Sequence, residues 1–166
     1  LTKLHIAGPH HEQIVRFVKA PGYLGLPTTF GDKINQYSVT VIDEAEVCFI
    51  DIATFRQLLH TNPDFANEIL TDICKNELEV YNKCANRTQK QIRGKMADFL
   101  LELSNDIYKS DIFVVPVNQE EIANLIDSSR ESVSRVLNEF EKDGIISISG
   151  KKIGIIGLGS VGYRVA

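Results

Sequence analysis

The residues of this chain whose types and spacing could do chemistry lie in one short run, Ser129-Arg-Glu-Ser-Val-Ser-Arg135. At roughly 100° per residue, Arg130, Glu131, Ser134, Arg135 and Asn138 fall on one side of a helix, and Val133, Val136, Leu137 and Phe140 on the other. An arginine fork matches O6 and N7 of guanine, a glutamate accepts from N4 of cytosine, and a serine reaches a base edge or a phosphate. The polar side therefore has the chemistry of major-groove readout. Ser129 and Ser132, beside the helix N-terminus, suit phosphate oxygens. The competing reading is a solvated face whose Arg and Glu pair with each other. No Ser-His-Asp, Cys-His or paired-carboxylate set is placed by spacing anywhere in the chain, so no enzyme mechanism has residues to name.

The elements around that run decide between the two readings. Asn118 with Glu121, and Ser128 with Glu131, each match an N-cap followed three residues later by Glu, the spacing of a capping box. This predicts one helix from about Gln119 to Ile126 and a second from about Ser129 to Lys142. Only the turn at Asp127-Ser128 separates them, and Asp tolerates a left-handed backbone there. That is a helix-turn-helix, and it favours the base-reading role for the second helix. Beyond Gly144, Ile145 to Ser149, a turn at Gly150, and Ile153 to Ile156 predict a β-hairpin with Lys151 and Lys152 near its tip, placed to approach a phosphate backbone.

Upstream, Thr2 to Ile6, Ile14 to Lys19, Ser38 to Ile42 and Val47 to Asp51 read as short strands separated by turn residues, a small β-roll or barrel. Asp51 can cap a short helix through His60, and Asn62-Pro63 starts the next, with Asn as N-cap and Pro at the first helical position. That helix can run to about Arg87. Its apolar residues, including Leu70, Ile73, Val80 and Cys84, form a stripe that suits either a dimer seam or the core of a monomer. Thr88 to Lys95 reads as a polar hinge carrying Gly94. A further amphipathic helix follows, with Met96, Phe99, Leu100 and Leu103 on one face, ending at Ser104-Asn105.

The run from Asn118 to Leu137, followed by Glu141-Lys-Asp-Gly-Ile-Ile146, resembles the winged helix-turn-helix of the cyclic-AMP receptor protein and fumarate-nitrate regulator (Crp/Fnr) superfamily. Phe55-Arg-Gln-Leu-Leu ending at Asn62-Pro63 resembles that family's entry into its dimer helix, and the strand-rich start resembles its effector-sensing β-roll. The resemblance implies an α+β fold in three parts. Residues 1–62 are an effector-sensing β-roll of the cyclic-nucleotide-binding jelly-roll type, 63–88 a dimerisation helix, and 89–166 a winged helix-turn-helix domain; the family's first strands are expected to precede Leu1.

It also implies a homodimeric bacterial transcription regulator that binds double-stranded DNA at a near-palindromic operator, with RNA polymerase as a further partner if it activates. Arg130, Glu131 and Arg135 stand where one branch of the family reads a TGTGA-like half-site, and Glu131, Ser134 and Arg135 where the other reads TTGAT. A G·C pair read by Arg135 and Glu131 is expected, with Asn118, Ser129, Ser132, Lys151 and Lys152 on the backbone.

The sensor departs from the family pattern. Members that bind cyclic nucleotides hold ribose and phosphate with a Gly-Glu pair and an Arg-Ser pair, and the nearest equivalents here are Gly25-Leu26 and Asn35-Gln36. A cyclic phosphate would lose its bidentate arginine, so a different effector, or none, is expected.

Other signals bound the reading further. The formal net charge is −4, so any positive surface for a polyanion must be local. Three cysteines, Cys48, Cys74 and Cys84, lack CxxC spacing; buried apolar positions and a reducing cytosol are expected for them, and no cofactor, metal or membrane span is expected. His10-His11 reads as an exposed turn. Gly157-Leu-Gly-Ser-Val-Gly162 matches GxGxxG after a strand, the fingerprint of the rival class, an NAD-linked enzyme. No helix and distant acidic residue follow it, so no nucleotide site is expected. A winged helix used for protein binding stays open as the third class.

Overall fold

Three antiparallel strands open the chain: β1 (Thr2–Ala7), β2 (Glu12–Val18) and β3 (Ser38–Val41) pair in the order β2-β1-β3. The structure, a computed structural model, describes residues 1–8, 12–32 and 34–156. His10, His11 and the run Gly157–Gly162 lie outside the described residues. The expected strand at Val47 to Asp51 does not form. Residues 44–50 have no regular structure and are exposed, because no strand runs beside them to accept and donate a ladder of backbone hydrogen bonds.

The helical starts lie where the caps predict. The Asp51 carboxylate accepts from Thr54 N–H at 2.9 Å and begins α1 (Ile52–Thr61). Asn62 Oδ1 accepts from Phe65 N–H at 3.1 Å and, with Pro63 next, begins α2 (Pro63–Gln89), 27 residues and roughly 40 Å long. Where these two helices meet, Phe55 is buried edge-on against Tyr23 and Phe65, with ring centroids 6.1 and 5.5 Å away.

The hinge predicted across Thr88 to Lys95 narrows to Lys90 and Gln91, whose extended backbones separate α2 from α3 (Ile92–Glu102). Gly94 lies within α3. Nor does that helical segment end at Ser104-Asn105. It continues as a π-helical turn through Leu103–Tyr108, because Leu103, Ser104 and Ile107 are buried there and the Ser104 carbonyl accepts the closing N–H groups of Lys109 and Ser110.

The C-terminal half comprises β4 (Ile112–Val114), α4 (Gln119–Leu125), α5 (Arg130–Lys142), β5 (Ile146–Ser149) and β6 (Lys152–Ile155), with sheet order β4-β6-β5. The hairpin predicted from sequence is present, and β4, which no sequence pattern announces, pairs on its far side. Gly154 faces Ser147 in that sheet. A Cβ there would meet the serine Oγ at 2.8 Å, so any larger residue would have to turn that serine aside.

One core joins the two halves. Met96, Phe99 and Leu103 pack with Val133, Val136 and Phe140 of α5, and Ile14 and Phe17 of β2 belong to the same cluster. Polar ties run alongside. Gln13 Nε2 donates to the Asn124 carbonyl at 3.0 Å, Lys19 Nζ to the Ile107 carbonyl at 2.7 Å, and Lys3 Nζ pairs with the Glu121 carboxylate. In contrast, α2 has little covering from its own chain: Ile69 is its buried residue, and Leu70 and Val80 are 59% and 47% exposed. All three cysteines are exposed, against expectation, because Cys74 and Cys84 sit on faces of α2 that no element of this chain covers and Cys48 lies in the irregular segment.

Glu121 carries a pH dependence with a definite sign. Its partial burial raises its pKa, but the hydrogen bonds from Lys3 and from the Asn118 backbone N–H outweigh this and hold it below the ordinary 4.5. A carboxylate with a depressed native pKa stabilises the fold above its unfolded pKa, and loses that contribution as pH falls through the native value. Urea titrations of Glu121→Gln and the parent chain should therefore differ at pH 7 and converge as pH falls through the depressed native pKa, below 4.5. Parallel curves across that range would show that the Lys3 pair contributes nothing.

Candidate nucleic-acid interface

The turn between α4 and α5 is built by local chemistry. Asn118 Oδ1 accepts from the N–H groups of Glu120 and Glu121, and Glu121 Oε2 accepts from the Asn118 N–H at 2.9 Å, a complete capping box. Asp127 then adopts φ +56°, the left-handed conformation expected of it, and Ser128 N–H donates back to the Ala123 carbonyl at 2.8 Å. The cap of α5 is Ser129 rather than Ser128, its hydroxyl accepting from Ser132 N–H at 3.2 Å. Ser128 instead belongs to the turn, its N–H closing α4.

The helix so aimed is two-sided, as its sequence predicts. Val133, Val136, Leu137 and Phe140 are 0, 1, 6 and 2% exposed. On the other side Arg130, Glu131, Ser134, Arg135 and Asn138 line a shallow concavity of about 610 Å³ with Glu139 and Lys142, closed at one edge by Gln119 at the start of α4. The Glu131 carboxylate lies close to its own backbone N–H at the helix N-terminus and to the Ser129 hydroxyl. Both lower its pKa, so the group stays an ionised acceptor at neutral pH.

Arg135 and Glu139 are four residues apart, yet Nε of the arginine stays 3.9 Å from the carboxylate, too far for a hydrogen bond. Glu139 is taken instead by Arg93 of α3, which also reaches Asp143 at 3.2 Å and lies with its guanidinium 5.0 Å from the Phe140 ring centroid.

Of the residues predicted to contact DNA, Arg130, Glu131, Ser134 and Arg135 come together in one concavity. Asn118, Ser129 and Ser132 border it in sequence, but their polar groups are engaged in caps. Lys152 opens β6 and Lys151 sits in the hairpin turn, exposed, near enough to Glu121 for its charge to lower that carboxyl's pKa. Neither lysine lines the concavity. Sequence reasoning missed Gln119, Glu139 and Lys142. The signal for Gln119 was available, since the residue after an N-cap begins a helix, and a helix-turn-helix packs that end across its partner.

The sensor candidates form a local network. Gly25 N–H donates to the Tyr37 hydroxyl at 2.6 Å, and the Thr28 hydroxyl bridges the Gly25 carbonyl at 3.0 Å and Asn35 Oδ1 at 2.9 Å. Gly25 and Asn35 are thus brought together, and Leu26 is half-buried beside them. Gln36 is adjacent in sequence and exposed. Among the described residues, no group of three or more His, Cys, Asp and Glu side chains could hold a metal, and no helix is long and apolar enough to cross a membrane.

Residues 94–158 match the sequence model of the Crp-like helix-turn-helix domain. The cAMP-activated global transcriptional regulator CRP of Salmonella typhimurium is 29% identical over 115 residues, 68% of this chain and 55% of that protein. The corresponding CRP of Pasteurella multocida is 23% identical over 150 residues, 88% of this chain and 72% of that protein. The chain thus spans about half the length of the Salmonella relative.

Among solved structures, FixK2 from Bradyrhizobium japonicum superposes with TM-score 0.80 at 14% identity, over 99% of this chain and 83% of that one. A CRP-family transcriptional regulator from Thermus thermophilus gives 0.79 at 20% identity, over 98% and 82%. Both likenesses concern the fold, which is α+β with strands at the start and the helix-turn-helix at the end. Residues 94–158 are thus a Crp-like helix-turn-helix domain, carried on a fold shared with FixK2 and the Thermus regulator.

Proposed function

We propose that this chain is a homodimeric, sequence-specific DNA-binding transcription regulator that presents α5 to the major groove, and that it is not an enzyme. One observation carries the reading: Arg130, Glu131, Ser134 and Arg135 share the exposed face of a helix whose opposite face is sunk in the core. Arg135 and Glu131 read one G·C pair, arginine on guanine and glutamate on cytosine. Lys151 and Lys152 act on the phosphate backbone from the hairpin tip, and the residues committed to caps orient the reading helix.

The second copy is recruited through α2, whose Leu70, Ile73, Val80 and Cys84 are exposed on this chain and would bury a continuous apolar seam between two parallel helices. Residues 1–62, 63–88 and 89–166 then serve as sensor, dimer helix and reading head. Several Crp relatives are named as cAMP-activated, but we read the effector of this chain as something else. Gly25 and Asn35 are engaged with Tyr37 and Thr28, and Asn35-Gln36 stands where a cyclic phosphate would need an arginine and a serine.

Binding to random duplexes followed by enrichment should yield a palindrome with a G·C pair in each half-site. On that duplex Arg135→Ala should cost about 1–3 kcal/mol and relax discrimination at one base pair, whereas Lys151→Ala should weaken all duplexes alike and lower the salt slope by about one. Equal loss on random DNA would remove base reading from Arg135, and enrichment of no duplex would leave a winged helix that binds protein.

Sedimentation of the parent chain should give a dimer, and Ile73→Lys, which puts a charge in the seam, should give a folded monomer with much weaker operator binding. A dimer surviving that change would exclude α2 as the interface. A thermal-shift titration with cyclic AMP should leave the melting temperature unmoved. A saturable upward shift would show that the Asn35 region accepts a cyclic phosphate after all.

A further inference from the structure

Beyond the residues that face the groove, we infer that Arg93, on α3 and outside the concavity, is a positioning residue for base reading: it holds the Glu139 carboxylate away from Arg135 and so keeps the Arg135 guanidinium available to DNA. This rests on the proposed role of Arg135. Glu139 lines the same concavity as Arg130 and Arg135, and its charge is the wrong sign for a surface that approaches phosphates. Glu139 stands one helical turn after Arg135, the spacing at which the two side chains meet. Left alone, its carboxylate would accept from the Arg135 fork and occupy the donors that guanine requires.

The geometry is arranged against that outcome. One oxygen of Glu139 is bonded to the Arg93 Nη1 at 2.5 Å, while the other stays 3.9 Å from the Arg135 Nε. Arg93 is itself fixed from three sides. Asp143 takes its second terminal nitrogen at 3.2 Å, and the Phe140 ring lies under the guanidinium with its centroid 5.0 Å away. Both acids and the ring belong to the last two turns of α5 or its C-cap. The clamp therefore also fixes the reading helix on α3, which bears the buried Met96, Phe99 and Leu100.

A lysine at position 93 would supply the charge but not the planar fork, so it could not serve both acids and stack at once. Of the acids facing this concavity, Glu131 is held by the N-terminus of α5, and Glu139 is the one whose partner decides whether Arg135 is engaged.

Two measurements on the full chain test this, one without DNA. In the free protein, side-chain NMR should show the Arg135 Nε–H exchanging rapidly with water in the parent, slowed in Arg93→Gln as Glu139 turns to it, and rapid again in Arg93→Gln/Glu139→Gln. On the enriched duplex, Arg93→Gln should bind about tenfold more weakly, equivalent to about 1.4 kcal/mol, and the double variant should recover to near the parent value. Glu139→Gln alone should bind at least as tightly as the parent.

A role for Arg93 in packing over Phe140 alone predicts no rescue, so a double variant as weak as Arg93→Gln would overturn the assignment. So would unchanged Arg135 exchange, or a tenfold loss on Glu139→Gln, which needs no change in Arg93 and stays informative if Arg93→Gln does not fold. A parent chain that enriches no duplex would overturn the assignment by removing the DNA reading itself. The exchange data would then still report whether the pairing switches, which separates the two failures.

Discussion

The structure depends on the burial of one side of α5. Val133, Val136, Leu137 and Phe140 each gain roughly 2 kcal/mol on leaving water, and they can do so only against α3, β5 and the short turn from α4. Once those four are inside, the helical repeat leaves Arg130, Glu131, Ser134 and Arg135 no option but the surface. The polar face is thus oriented by the apolar one. Its N-terminal end is aimed by the Asp127 turn, which lets α4 stop and α5 begin within a few residues.

The same core explains how an event in the N-terminal sheet could reach α5. Ile14 and Phe17 of β2 lie in the cluster that buries α5, and Glu121 serves two partners, the capping box of α4 and the Lys3 ammonium of β1. A shift of β1 or β2 cannot leave α4 undisturbed, since Gln13 also bonds the carbonyl of Asn124. Arg87 near the end of α2 donates to the adjacent Leu125 carbonyl at 3.2 Å. Sheet and long helix therefore grip the same short helix, whose far end sets the turn. Packed elements of this kind shift between discrete arrangements rather than deform smoothly.

Legibility in the sequence followed the range of the interactions. Asp51, Asn62 and Asn118 announced helix starts because a cap is completed within three residues, and the apolar period of α5 announced its buried face because one helix displays it alone. The one-residue slip from Ser128 to Ser129 arose because two serines are adjacent and either could supply a capping hydroxyl; the bond from Ser132 N–H to the Ser129 hydroxyl marks the second as the cap. Long-range features were not legible. β4 is three residues long and exists by pairing with β6, whereas Val47 to Asp51 has strand composition but nothing to pair with. The Arg93 clamp joins residues 46 and 50 positions apart, so no local pattern contains it.

A net charge of −4 argues at first sight against a polyanion partner, and the distribution of charge removes the difficulty. On α2, Asp64, Glu68, Asp72, Glu77 and Glu79 stand against Lys75, Lys83 and Arg87, whereas the concavity of α5 holds Arg130, Arg135 and Lys142 against Glu131 and Glu139. Of these two acids, Glu131 is one of the groups proposed to read a base and Glu139 is offset by Arg93, so the field that a phosphate would meet is more positive than the residue count suggests. In a dimer that field is doubled across the dyad. In the proposed dimer the acidic load elsewhere would repel DNA that is not aligned with both copies of α5, and so would penalise random contacts more than specific ones. Such a dimer, an acidic body with two small basic faces, would have an electrostatic preference for its site over bulk DNA even before any base is read.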